Sequence, residues 1–294
     1  MFEGTYTAIV TPFRKGELDE PALQKLIRNQ IRAGVDGIVP VGTTGESPTL
    51  SVEEHIRVVE ICVQTAAGRI RVLAGTGANA TAEAIHLTTA AERAGADGSL
   101  QVCPYYNKPS QEGLFQHFRA IARKTRLPLV LYSIPGRCGI EIGVETVRRL
   151  AVACRNIVSI KEAGGNADRV TQLRAACGPR FTILSGDDAL TLPFLAAGAD
   201  GVISVASNLV PRAVAQMVRA FREGRVSAAQ RLHARYHPVF RDLFLETNPA
   251  PIKAALAMTG EIEEELRLPL VPMAEATRAR LRATLQQSGV LKKR

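Results

Sequence analysis

No apolar run in this chain of 294 residues approaches the length of a membrane span, so a membrane protein of the helical kind is not expected. The opening Met1-Phe2-Glu3-Gly4-Thr5 lacks the basic and apolar regions of a secretory signal, and the cytoplasm is the expected location. Cysteine is sparse. Cys62, Cys103, Cys138, Cys154 and Cys177 are scattered, odd in number and free of any CxxC pair. That spacing indicates neither a zinc site nor a disulfide framework, and suits reduced thiols used as small core residues. Lysine is scarce too, 8 residues against 29 arginines. The formal charge of +9 is spread along the chain, with Lys292-Lys293-Arg294 the one basic run and no aromatic-rich basic patch beside it. A nucleic-acid partner is therefore not expected, and a solvated basic surface with mild steering of anionic metabolites is.

Several site motifs are missing as well. There is no Walker-type loop and no GxSxG elbow, which removes the usual nucleotide and serine-hydrolase signatures. Gly75-Thr76-Gly77-Ala78-Asn79-Ala80 fits a dinucleotide fingerprint only loosely. It follows the third strand candidate, and no acidic ribose partner lies about 20 residues on. His233 and His237 share a helical spacing, but no carboxylate motif supports them as metal ligands.

What is present is a repeat. Ala33-Gly34-Val35-Asp36-Gly37, Ala94-Gly95-Ala96-Asp97-Gly98 and Ala197-Gly198-Ala199-Asp200-Gly201 each follow a helical pattern and precede an apolar run. Glycine suits a helix C-terminus, where a left-handed residue is needed, so each copy reads as the joint of a βα unit. Eight strand candidates emerge: Tyr6–Thr11, Gly37–Val41, Val72–Gly75, Ser99–Cys103, Leu129–Ser133, Ile157–Lys161, Thr182–Ser185 and Gly201–Val205. Helical patterns separate them, among them Val52–Ala66 and Thr81–Arg93, the latter with Thr81 placed to cap it. Eight alternations imply an α/β fold, a closed (β/α)8 TIM barrel, with a doubly wound open sheet as the alternative. Beyond Gly224 only helical patterns remain. Residues 1–224 are thus expected to form the barrel and 225–294 a C-terminal helical region.

Lys161 is the residue that points to chemistry. It closes the strand candidate Ile157–Lys161, and lysine is rarely placed on a buried strand without a task. Desolvation favours the neutral, nucleophilic amine, which attacks ketones to form imines. A lysine snorkelling from an edge strand is the bland alternative. Barrel sites gather at the C-terminal ends of strands. There the chain carries Gly42-Thr43-Thr44-Gly45-Glu46-Ser47, Pro104-Tyr105-Tyr106-Asn107-Lys108-Pro109 and Tyr132-Ser133-Ile134-Pro135-Gly136-Arg137. The first segment reads equally as a carboxylate-binding turn and as a plain glycine-rich one.

Taken together, these segments and Ile160-Lys161-Glu162-Ala163, Ser185-Gly186-Asp187-Asp188, Val202-Ile203-Ser204-Val205 and Asn248-Pro249-Ala250-Pro251-Ile252-Lys253 resemble the dihydrodipicolinate synthase family, formally the 4-hydroxy-tetrahydrodipicolinate synthases. The resemblance runs from Gly4 to about Met273. It implies a TIM-barrel lyase that condenses pyruvate with L-aspartate 4-semialdehyde in the diaminopimelate route to lysine, without metal or cofactor, as a cytoplasmic homotetramer built as a dimer of dimers. It further implies that Lys161 is the Schiff-base lysine and Tyr132 the proton-carrying phenol. Thr43 and Tyr106 would complete a proton relay, Tyr106 reaching in from the adjacent subunit. Thr44, Ile203 and Gly186 would bind pyruvate, and Arg137 the aldehyde's carboxylate, for which a planar guanidinium is well shaped. In members inhibited by lysine, the residues matching the inhibitor site are Ser47, His55, Asn79, Glu83 and Tyr105. Pro48 and Val52 depart from that pattern, as Ser133, Cys138 and Cys103 depart from the usual active-site loops. Alternatives of other kinds are a different pyruvate aldolase, such as an N-acetylneuraminate lyase, and a non-catalytic ligand-binding relative on the same barrel.

Overall fold

The computed structural model describes residues 2–292; Met1 and the end of the expected basic run, Lys293-Arg294, lie outside the described residues. Eight parallel strands close a barrel: β1 (Gly4–Ala8), β2 (Gly37–Val39), β3 (Arg71–Gly75), β4 (Gly98–Val102), β5 (Leu129–Ser133), β6 (Ile157–Glu162), β7 (Thr182–Ser185) and β8 (Gly201–Ser204). Each pairs with the next, and β8 pairs with β1 through Tyr6 opposite Ile203. Every strand candidate is a strand of this barrel, Leu129–Ser133 and Thr182–Ser185 matching at both ends and the others within three residues, and the open sheet is excluded. A short antiparallel pair, Phe13–Arg14 with Glu17–Leu18, follows β1.

Helices alternate with the strands: α1 (Glu20–Ala33), α2 (Val52–Ala66), α3 (Thr81–Ala94), α4 (Gln111–Ala122), α5 (Val144–Ala153), α6 (Ala167–Cys177), α7 (Thr191–Ala196) and α8 (Pro211–Arg222). Local chemistry fixes their starts. Asp19 accepts from the Ala22 N–H at α1, and Ser51 with Glu54 forms a capping box at α2, satisfying N–H groups that a helix leaves unpaired. Thr81 does not cap α3. Ala80 takes the cap position, and the Thr81 hydroxyl bonds His117 Nδ1 on α4 at 2.9 Å instead.

The repeated Ala-Gly-x-Asp-Gly joint has one physical logic at all three places. Gly34 and Gly95 are left-handed at the ends of α1 and α3, and Gly198 is left-handed just past α7, a region open to glycine at little cost. The following aspartate clips the neighbouring strand. Asp36 Oδ2 accepts from the Thr5 N–H while its own N–H donates to the Thr5 carbonyl. Asp97 does the same with Val72, and Asp200 with Ile183. Each clip sets the register at the N-terminal end of a strand pair, and so aligns the opposite ends, where function gathers.

Tyr6, Val39, Leu73, Leu100, Val130, Tyr132, Leu184 and Ile203 fill the barrel interior. Beyond α8 lie α9 (Val226–Asp242), α10 (Ala250–Met258) and α11 (Glu275–Gln287). Their buried Val239, Phe240, Ile252, Leu256, Leu281 and Leu285 join one apolar core with Leu26, Val58 and Met217 of the barrel's outer helices. The loop before α10 thereby reaches the C-terminal rim of the barrel.

Candidate active site

Strand alternation sets the centre of the site. On β6, Lys161 points into the barrel and Glu162 outward, the period-two rule of a strand. Glu162 is fully buried and bonded to Arg169 Nε at 2.7 Å and to the Gly164 N–H at 2.8 Å. Burial raises its carboxyl above the usual range, against the opposing pull of Arg169. Lys161 is 6% exposed, and none of the ion pairs among the described residues includes it. Its register partner on β5 is Tyr132, whose ring centroid lies 4.2 Å from Lys161 Nζ. Gly186, just past β7, packs on the other side: a Cβ there would stand 3.1 Å from Lys161 Cε and 2.5 Å from Ala163 Cβ. Glycine is thus the residue that leaves the lysine arm its room.

Tyr132 also lines a cleft of about 220 Å³ whose walls include Thr43, Arg137 and Cys138 but not Lys161 itself. Three of the residues picked as catalytic or substrate-binding, Thr43, Tyr132 and Arg137, therefore meet there, together with Ser47 and Tyr105. Lys161 touches the cleft residue Tyr132, and Ile203 packs beside Tyr132 in the barrel interior. Asp188 holds the turn beyond Ile203, its carboxylate accepting from the N–H groups of Val205 and Ala206. Thr44 is not among the residues that line the cleft, and its hydroxyl oxygen accepts from Asn248 Nδ2 at 3.0 Å. Its O–H proton remains available to a ligand. The backbone N–H groups of Thr43 and Thr44 make no hydrogen bond among the described residues.

Tyr106 is not part of this cleft. It is 91% exposed with a left-handed backbone, φ 72°. The loop that carries it is tied down, with Asn79 Nδ2 donating to the Tyr105 carbonyl and Asn107 Nδ2 to the Asn79 carbonyl.

Arg137 rides on a one-turn helix, Pro135–Cys138, and its guanidinium donates to the Asn248 carbonyl at 3.2 Å. Asn248 thus bridges Thr44 and Arg137, a role that its sequence motif alone did not suggest. The cysteine departures fit without disruption. The Cys138 thiol donates to the Cys103 carbonyl at 3.2 Å, as a hydroxyl would. Burial pushes Cys138 up to about 11 and Cys103 up to about 12, so both are protonated near neutral pH. Ser133 Oγ accepts from the Ile142 N–H.

A second cavity, about 160 Å³, shares the wall residues Ser47, Pro48, Gly77 and Tyr105 with the first and adds His55, Glu83 and Val52. His55 is 4% exposed, not the surface residue that a helix position alone would suggest, and its Nε2 has no hydrogen-bond partner among the described residues. Burial lowers it to about 4, partly opposed by a hydrogen bond with the Gly75 backbone. Asn79 stands at the margin, outside the cavity's lining. His233 and His237 lie side by side, 5.5 Å between ring centroids, and no group of three metal-ligating side chains occurs among the described residues.

Comparison with known proteins adds three kinds of likeness. The profile of the dihydrodipicolinate synthetase family matches residues 1–288. The 4-hydroxy-tetrahydrodipicolinate synthase of Aquifex aeolicus is 50% identical over 287 residues, covering 98% of both chains. Among solved structures, the 4-hydroxy-tetrahydrodipicolinate synthase of Methylacidiphilum fumariolicum SolV is 57% identical with a TM-score of 0.97, covering 98% of this chain and 96% of that one. The dihydrodipicolinate synthase of Acinetobacter baumannii, solved with pyruvate, is 43% identical with a TM-score of 0.97, covering 99% of this chain and 100% of that one.

Proposed function

The chain belongs to the dihydrodipicolinate synthetase family and has the activity of a 4-hydroxy-tetrahydrodipicolinate synthase, a lyase of lysine biosynthesis; on that premise we propose that Lys161 carries pyruvate as an imine while Arg137 receives L-aspartate 4-semialdehyde. The observation that carries this reading is a buried lysine, without an ion pair among the described residues, packed against a tyrosine ring that lines a cleft holding an arginine.

The Lys161 amine adds to the pyruvate ketone carbon, and the Tyr132 phenol carries a proton to the departing hydroxyl, so that water leaves and the imine remains. Loss of a proton from the methyl group gives the enamine. Its carbon bonds to the aldehyde carbon, and the resulting alkoxide takes a proton back through the relay of Tyr132 and Thr43. The Thr44 hydroxyl and the loop's unpaired N–H groups suit the pyruvate carboxylate, and buried Ile203 and Gly186 shape the space around it. Tyr106 completes the relay from a neighbouring subunit of a cytoplasmic homotetramer. Its exposure and its left-handed backbone, costly for a tyrosine, support that assignment. The second cavity is the place for L-lysine as feedback inhibitor, with Glu83 for an ammonium group and His55, Ser47, Tyr105 and Asn79 around it.

The test of the central claim is chemical. Pyruvate and borohydride are added, and the peptides are weighed after digestion. A reduced pyruvyl adduct is expected on the peptide containing Lys161 and absent from Lys161→Met; an adduct on another lysine, or none, would overturn the assignment.

A further inference from the structure

Glu46 and Lys253 form an ion pair in which both side chains are 0% exposed. Lys253 Nζ also donates to the Glu265 carbonyl at 2.8 Å and sits 4.2 Å from the Phe13 ring centroid. The second Glu46 oxygen accepts from the Arg267 N–H at 3.1 Å. None of these groups lines the cleft. A buried ion pair is a poor source of net stability, because apolar residues of similar volume often serve as well or better. Its presence therefore calls for a reason other than stability.

The backbone supplies one. Glu46 is left-handed, φ 54°, and so is Val41, φ 51°. A branched valine seldom adopts that region, and such strain persists only where the surroundings hold it. These two residues bracket Gly42-Thr43-Thr44-Gly45. Within the bracket the Glu46 N–H donates to the Thr43 carbonyl at 3.2 Å, and the Ser47 N–H to the Gly42 carbonyl at 3.3 Å. Holding the Glu46 carboxylate thus holds the carbonyl side of Thr43 and leaves the N–H groups of Thr43 and Thr44 directed elsewhere. The same C-terminal segment reaches Thr44 a second time, through Asn248.

We propose that Glu46 and Lys253 are positioning residues: their buried ion pair clamps the strained Gly42–Ser47 loop in the conformation that receives pyruvate's carboxylate. This rests on the reading of that loop as the carboxylate site. Each residue acts through Thr43 and Thr44 rather than on substrate.

The readout is the pyruvate concentration that half-saturates borohydride trapping on Lys161. Lys253→Met leaves Glu46 buried and unpaired, and its folding is at risk. Glu46→Gln combined with Lys253→Met removes both charges and leaves no orphan. The doubly neutral variant is expected to fold, by circular dichroism, yet to need about tenfold more pyruvate or worse, since small misplacements of binding groups are costly. Thr44→Val should show the same defect. If Thr44→Val raises the half-saturating concentration and the folded double variant keeps the parental value, the pair is structural only and the proposal is overturned. If Thr44→Val leaves that value unchanged, the reading of the loop fails, and this inference with it.

Discussion

Arg137 and Lys161 separate the two substrates at the scale of single residues. Lys161 is buried against Tyr132, whereas Arg137 stands on the cleft wall, exposed on a turn of its own. An alanine at 137 therefore leaves the lysine's surroundings intact. In the proposed mechanism, Arg137→Ala should still form the pyruvyl adduct but lose the second substrate. Removing a charge-assisted, two-pronged contact should cost about 2–5 kcal/mol of transition-state binding. Steady-state rates with L-aspartate 4-semialdehyde check it, and an unchanged kcat/KM would show the arginine misassigned. The residues that spoke loudest in the sequence were those whose type conflicts with their place, such as a lysine on an apolar strand. Glu46 and Lys253 conflict just as strongly with full burial, but nothing local reveals it. Glu46 lies in a glycine-rich turn and Lys253 on a helix, and only the folded chain brings them into contact.

Elements were the most readable level. Both faces of a barrel strand are covered, so each strand stands out as a compact apolar run between glycine-rich joints. Helix Val52–Ala66 has the bounds that its apolar spacing indicates. Thr81 shows where this reasoning stops: a threonine at a helix start prefers to cap, but His117 from the next helix claims its hydroxyl. The second cavity is likewise a product of elements, formed where the start of α2, the start of α3 and the loop after β4 converge. Glu83 supplies a carboxylate there, and His55, neutral at physiological pH, offers an unpartnered Nε2. Pro48 and Val52 line the same cavity and narrow its chemistry. L-lysine is expected to inhibit through a coupling free energy carried by the shared wall of Ser47 and Tyr105. An initial-rate titration at fixed pyruvate, paired with calorimetry, decides the matter. Full activity at millimolar L-lysine with no heat of binding would rule the site out.

For the molecule as a whole, two buried imidazoles contribute strongly to how the fold responds to acid. His55 on α2 and His117 on α4 are each lowered by burial from the ordinary 6.5 to about 4. In the unfolded chain both would take up protons as the pH falls through 6.5. In the folded chain they stay neutral until about 4. The unfolded state therefore binds more protons throughout that window, and stability falls as the pH falls across it. By pH 5 each imidazole should have cost about 2 kcal/mol, reckoned at 1.4 kcal/mol for each pH unit below 6.5. The buried Glu162 and Asp188 carboxyls are raised in the folded chain and act in the opposite direction, so they do not account for this loss. The His117 ring meets Phe118 edge-on and among the described residues bonds only Thr81, so His117→Phe should keep the packing while removing one proton site. Urea unfolding at about pH 7 and about pH 5 measures the difference. The parent should lose markedly more stability between the two than His117→Phe does. Equal losses in both proteins would mean that His117 is already protonated in the folded chain, and that burial does not govern its charge.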